Sequence, residues 1–441
     1  MVATGRFPEL SDYEVDVNTG FMAPDVPLAR LPHPWDAWED VLSDAHHRKL
    51  QVGDKPGITD AERADSEAWR ATVRRLPILP IEGMEASLLM LRRAHVALGF
   101  LEHFYVHSLP PHEPVVIPAP IGVPMLQVSL LLDMPPLLTY PDTTLYNYAP
   151  IIERGAPVPH LDNITNQTTF TETTDEVEFY ITSARIELRG VAVLNIVKAS
   201  MDAVLNGDIR AVAEQLHRLA PVVHELRVLL GSVRRGCDPT RYYNVVRPWL
   251  RGQDTGVRPW TFEGREEHGL PVPTELSGPS AGQSSLVHLL DVFLGVDHAP
   301  EKPGARPFLE RMRAYMPAPH RRFLDVVASS PIALRAFVMS AGDTELLDAY
   351  NATVLALKGF RDEHMIIVTL YIIQPARRAR ALADAERAEE MARAQATALV
   401  APAPDLSQQR RQPVKGTGGT DIARFLKATR DKTAQTVIVL G

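Results

Sequence analysis

The chain has 441 residues, enough for two or three ordinary domains or for one large helical core with an appendage. Its 45% hydrophobic and 23% charged residues are those of a globular protein in water, and a net charge of -8 speaks against a general binder of nucleic acid or of an anionic membrane, because little would neutralise phosphates. The one cysteine, Cys237, can form no internal disulfide and no cysteine-cluster zinc or iron–sulfur site, so a reducing cytoplasm is the expected compartment. At the start of the chain no charged stretch leads into an apolar one, and no apolar run approaches the ~18 residues of a membrane span. A protein without a membrane anchor is expected.

Residues 1 to about 60, rich in proline and acidic residues, predict an extended arm laid over a domain. Segments 60–76 and 85–107 predict helices, the second with Leu88, Leu89, Leu91, Val96 and Leu98 in its buried stripe. His103 and His107 stand at the four-residue spacing of metal ligands on a helix, but no third ligand accompanies them in HExxH form. The proline-studded run 110–124 should hold only short strands or loops. A second connecting stretch, 149–174, carries prolines, asparagines and threonines and places a boundary near residue 169. The expected fold class is therefore mainly α, with a small amino-terminal α domain with few short strands over 1–168 and a large all-helical domain over 169–441.

Beyond residue 175 the spacing predicts helices over 177–197, 208–230, 284–295, 306–315, 320–329, 344–373 and 376–399. A proline- and glutamine-rich segment, about 400–414, reads as a mobile surface loop. The tail KGTGGTDIARFLK resumes with glycines before a helix capped by Thr420 or Asp421. It lacks the GK[ST] of a phosphate loop.

Four places carry chemistry. His364 lies within a long apolar stretch and shares a helix face with Leu357, Phe360, Ile367, Val368 and Tyr371, so its ring needs a partner: a metal or haem iron, or else a carbonyl or carboxylate. Asp291, within an apolar helix, must be paired, and Arg361 one turn before His364 is the natural cation. Phe179 and Ser183 are four apart and face one cavity or one neighbour, unless the serine simply bonds back to its own helix. Tyr243 and Arg247 are one turn apart, next to Tyr242, which suits an aromatic amino-acid ligand or a surface cation–π pair.

FYITSARIE (179–187), YYNVVRPWL (242–250), SAGQSSLVHLLDVFLG (280–295), YMPAPHRRFL (315–324), YNATVLALKGFRDEH and IVTLYIIQPA (350–376) and KGTGGTDIARFLK (415–427), in this order, resemble the indoleamine 2,3-dioxygenase family. GFMAPDVPLARLP and LLTYPDTTLYNY extend the likeness over nearly the whole chain. The resemblance implies a haem b between the two domains, with His364 as proximal ligand of the iron and Asp291 and Arg361 as the acidic and basic residues around it. It implies a distal pocket of Tyr140, Thr143, Phe179, Ser183, Tyr242, Tyr243, Gly278, Ser280 and Ala281, with Ser183 and Ala281 also beside the haem. Arg247 would receive the substrate carboxylate, Ser183 would be the hydroxyl nearest the chemistry, and Thr417 would belong to a loop closing over the pocket. The implied reaction opens the indole C2–C3 bond of L-tryptophan with O2 to N-formylkynurenine, on ferrous iron kept reduced by an external reductant, in a cytoplasmic monomer. Tyr242 departs from the phenylalanine of the mammalian enzymes and brings a hydroxyl that demands a partner. Two other readings stand beside this one. A haem protein of the same fold that only stores or senses O2 would keep His364 without needing Arg247, and a helical scaffold would need neither.

Overall fold

Apolar residues recur at helical spacing along most of the chain, and the computed structural model is mainly α. It describes residues 7, 9–151, 159–256, 258–298, 307–397, 416 and 421–439. Among these, strand is confined to two ladders. Val115–Ile117 runs parallel to Trp260–Phe262 with Val115 opposite Trp260, and Tyr148–Pro150 runs antiparallel to Ile164–Asn166 with Ala149 opposite Thr165. No helix among the described residues is long and apolar enough to cross a membrane.

The helices bury two apolar cores. One forms around Leu88–His107, which packs on Ala119–Leu132 and on Asp36–Arg48. Leu88 is exposed and Leu89 half-buried, but from Leu91 onward the helix is buried on every side, so its apolar stripe is wider than alternation with polar residues suggested. The other core forms where Ile209–Ser232 lies along Thr344–Val368, joined by Val191–Leu205, Ser285–Leu294 and Ala318–Ala328. Burying one such Leu, Ile or Phe side chain contributes about 1.5–3 kcal/mol, so these contacts, rather than the two short ladders, hold the molecule together.

Several expectations need correction. The first 60 residues are not wholly extended, because Asp36–Arg48 is a helix. Its buried Trp38, Val41, Leu42 and Ala45 stand at offsets of three, four and seven, a stripe hidden behind the preceding prolines. Upstream of it, Phe7, Leu10, Val15 and Phe21 do lie over the second core. The proline run 110–124 also starts a helix, Ala119–Leu132. Pro120 stands in its first turn, where no N–H is needed, and only Pro124 removes a hydrogen bond from the interior.

The predicted helix 177–197 is two, Thr174–Arg189 and Val191–Leu205, parted at Gly190. A Cβ at Gly190 would stand 2.5 Å from a Leu286 methyl, so glycine lets Ser285–Leu294 approach the break. The helices expected over 344–373 and 376–399 run together. Thr344–Val368 passes through a π turn, Thr369–Ile373, into Gln374–Thr397, and Pro375 falls beside the widened turn instead of ending the helix. The helix Leu334–Ala341 likewise has no counterpart among the predicted elements. The segment 400–414 lies outside the described residues, whereas Ile422–Gln435 is a helix capped by Asp421, whose Oδ1 accepts from the Arg424 N–H at 3.3 Å.

Candidate active site

His364 sits near the end of Thr344–Val368, with Leu357, Phe360, Ile367, Val368 and Tyr371 buried around it. Its ring is half-buried, and neither nitrogen has a hydrogen-bond partner among the described residues. Burial, with Arg361 adding to it, pushes the imidazole down to about 4. At neutral pH it is a neutral ring with a lone pair to give, the form a metal takes.

One turn earlier, Arg361 closes on Asp291 of Ser285–Leu294 through two hydrogen bonds of 2.5 and 2.6 Å, and its other nitrogen donates to the Thr433 hydroxyl. Asp291 also receives His298 Nε2 at 2.8 Å. Burial works to raise the Asp291 carboxyl, but the Arg361 guanidinium and His298 outweigh it and hold the group below its ordinary value. The predicted Asp291–Arg361 pairing is thus present, and it ties three helices together beside His364.

An aromatic wall follows from the same helix. Tyr371, seven residues beyond His364, meets the Tyr242 ring edge-on at 5.8 Å, and Tyr242 lies 4.4 Å from Phe179. Tyr242 is buried, and its hydroxyl makes no hydrogen bond among the described residues. Tyr243 supports the Arg247 guanidinium, which stands 5.4 Å from its ring centre. Burial lowers Arg247 from its ordinary value, yet an arginine remains a cation. These residues come together because Tyr242–Val246 is a π turn followed by the tighter Arg247–Leu250 turn, which swing successive side chains off the ordinary helical spacing.

Thr174–Arg189 joins this wall to a second group. Phe179, Ser183 and Glu187 stand on it at steps of four. The Ser183 hydroxyl does not bond back to its own helix and has no partner among the described residues. Glu187 Oε1 accepts from the Tyr140 hydroxyl at 2.8 Å and from the Ser284 hydroxyl at 2.7 Å, while the buried Oε2 has no partner. Burial, opposed by those two hydrogen bonds, pushes Glu187 up to about 7. Gln283 completes the tie, its Oε1 accepting from the Tyr140 N–H at 2.8 Å and its Nε2 donating to the Gly278 carbonyl at 3.0 Å. Thr143 is buried with its hydroxyl on the Tyr140 carbonyl at 3.2 Å, and the Ser280 Oγ accepts from the Gly282 N–H at 3.3 Å.

Two of the expected residues stand apart from these clusters, Ala281 being exposed and Thr417 lying outside the described residues. Glu187 and Gln283 were passed over in the sequence, although both sit inside the singled-out segments FYITSARIE and SAGQSS. Their signal was a charged or amide side chain at a buried helical position. His103 and His107 are not ligands, since their rings bond to the carbonyls of Trp249 and Arg251. Among the described residues no three histidine, cysteine, aspartate or glutamate side chains gather to cage an ion.

The model of the family described as indoleamine 2,3-dioxygenase matches residues 9–436. An indoleamine 2,3-dioxygenase of Aspergillus candidus is 32% identical over 441 residues, covering 97% of either chain. Indoleamine 2,3-dioxygenase 1 of Mus musculus is 29% identical over 97% of this chain and 96% of its own. The Saccharomyces cerevisiae indoleamine 2,3-dioxygenase is 30% identical over 97% and 94%.

Proposed function

Since the chain belongs to the indoleamine 2,3-dioxygenase family, haem-dependent oxidoreductases that incorporate O2, we propose that it opens the indole C2–C3 bond of L-tryptophan to give N-formylkynurenine. The observation that carries this reading is His364, a neutral, half-buried imidazole without a hydrogen-bond partner among the described residues, whose helix is braced by Arg361 and Asp291 one turn away. Such a ring fits an iron held from one side. When bound, haem b supplies the activation of O2 and its transfer to the indole.

The chain's own residues supply the rest. His364 would hold the iron, and the Arg361–Asp291 pair fixes the helix that presents it. Phe179 and Tyr242 offer flat apolar faces for the indole, and Tyr243 steadies Arg247 so that its fork can take the carboxylate through two parallel hydrogen bonds. Ser183, without a partner of its own, can receive a hydrogen bond from substrate, while Tyr140, Thr143, Gly278 and Ser280 shape the far wall through Gln283 and Glu187. Glu187 is occupied in holding the Tyr140 and Ser284 hydroxyls, so it braces the wall, and the protein's contribution is orientation. The protein would act as a monomer divided near residue 169, kept active by an external reductant.

A haem protein that only binds O2 is the alternative, and the half-buried Arg247 beside two tyrosines speaks against it. The test is to reduce the haem-loaded protein without air, add L-tryptophan and then 18O2. N-formylkynurenine carrying two labelled oxygens is expected. A stable oxygenated spectrum with no product would establish the alternative.

A further inference from the structure

The segment carrying Arg247 is gripped from outside the pocket. Two residues beyond it, the Trp249 carbonyl lies 2.7 Å from His103 Nδ1, and four residues beyond it, the Arg251 carbonyl lies 2.7 Å from His107 Nε2. A carbonyl oxygen only accepts, so each of these nitrogens carries the proton, which sets His103 as the Nδ1–H tautomer and His107 as the Nε2–H tautomer. Both histidines are buried one turn apart on Leu88–His107, and both rings pack edge-on against Trp260 at 5.6 and 6.1 Å. His103 Nε2 has no partner, so this ring bonds to nothing but the Trp249 carbonyl.

A second set of contacts constrains the same segment. Gly252 packs so close to the chain at Gly278 that a Cβ on it would stand 2.2 Å from the Gly278 nitrogen, and a Cβ on Gly278 would stand 2.1 Å from the Leu250 carbonyl. The Gln253 N–H donates to the Leu276 carbonyl at 2.9 Å, and the Arg251 guanidinium grips Asp54 at 2.8 and 3.2 Å. Residues 249–252 are therefore held both by a histidine pair and by a backbone-to-backbone contact. Arg247 stands two residues before that grip, on a short turn that ends within it.

We infer that His103 and His107 are positioning residues for substrate selection: their two N–H donors set the place of the 249–252 backbone, and through it the reach of Arg247 toward a carboxylate. The inference rests on the reading of Arg247 as the carboxylate receptor. Neither histidine touches substrate or iron. Loss of the donors should let the turn relax by a fraction of an ångström or more, and misplacement on that scale costs about 10- to 100-fold where a bidentate contact is involved.

The test uses the holoenzyme and compares binding of L-tryptophan with that of tryptamine, which lacks the carboxylate, by equilibrium dialysis. His103→Leu with His107→Met removes both donors at similar volume. His103→Asn with His107→Gln restores an N–H near each original position. The first pair should weaken L-tryptophan about 10- to 100-fold while tryptamine changes far less, and hydrogen exchange of the 249–252 amides should quicken. The second pair should recover most of the L-tryptophan affinity. Equal losses for both ligands, or no rescue, would make the histidines ordinary core packing and overturn the inference. Single His107→Met serves if the double variant does not fold, with the same selective loss expected and the same equal loss fatal. Arg247→Leu separates the two claims: if it does not discriminate between the ligands, the carboxylate reading fails by itself, whatever the histidine variants do.

Discussion

At the scale of single residues, His364 and Arg247 bear the functional reading, and each fails in its own way when removed. His364→Ala takes away an imidazole that meets no partner among the described residues, so haem retention and activity should both collapse. His288 and His320 are controls, because His288 is occupied with the Gly282 carbonyl at 2.9 Å and His320 packs against Phe21. Replacing either should leave the haem absorption in place, and the reverse pattern would move the ligand assignment to them. Arg247→Leu removes a charge-assisted fork from a largely desolvated site, a loss of about 2–4 kcal/mol or roughly 30- to 1,000-fold in kcat/KM for L-tryptophan. Tryptamine turnover, where measurable, should hardly change, and the ferrous–CO spectrum should stay native. A spectrum that shifts with the variant would place Arg247 against the haem instead of the substrate.

At the scale of elements, the pocket depends on a contact that one glycine permits. Gly190 lets Leu286 sit against the break between Thr174–Arg189 and Val191–Leu205, and two residues before Leu286 the Ser284 hydroxyl reaches Glu187. Gly190→Val should force the Ser285–Leu294 helix outward, at about 1–3 kcal/mol for overpacking, and loosen the Ser284–Glu187–Tyr140 chain with it. Thermal unfolding and KM measured together check this: a lower Tm with an unchanged KM would mean that the pocket does not feel the contact. The same region shows how much the sequence disclosed. Helical periodicity gave Ser285–Leu294 nearly to the residue and the start, but not the end, of Thr344–Val368, and the need of a buried charge for a partner gave Asp291 with Arg361. The π turns at Tyr242–Val246 and Thr369–Ile373 were illegible, because a widened turn has no composition of its own and is set by what packs around it. Asp36–Arg48 and Ala119–Leu132 were hidden by prolines read as breakers, when their position in or before a first turn made them helix starters. Glu187 escaped because i, i+4 spacing tied it to Ser183 only once the helix faces were known.

At the scale of the whole molecule, stability should depend on pH from two sides, since the fold buries both histidines and carboxyls. Burial holds His103 and His288 at about 4 and His320 at about 3, against an ordinary 6.5, so on the acid side the unfolded chain takes up protons that the folded one refuses. Their contribution is fully present above pH 6.5 and is lost as pH falls toward 4. Buried carboxyls act in the opposite sense. Glu187 is pushed up to about 7, and Glu102, 1% exposed with neither oxygen partnered, is pushed well above its ordinary 4.5. They favour the folded state fully below pH 4.5 and progressively less as pH rises through 7, because the folded chain then holds protons that the unfolded one has shed. The two trends cross between about pH 5 and 7, where stability should be greatest, with the steeper fall on the acid side because three histidines act there together. Glu102→Gln separates the contributions. It should raise the Tm at pH 8 while leaving it nearly unchanged at pH 4.5, where the carboxyl is protonated in the fold already. A Tm gain of equal size at both pH values would mean that the glutamine finds a hydrogen bond the acid lacks, and the alkaline limb would then have to come from Glu187 alone.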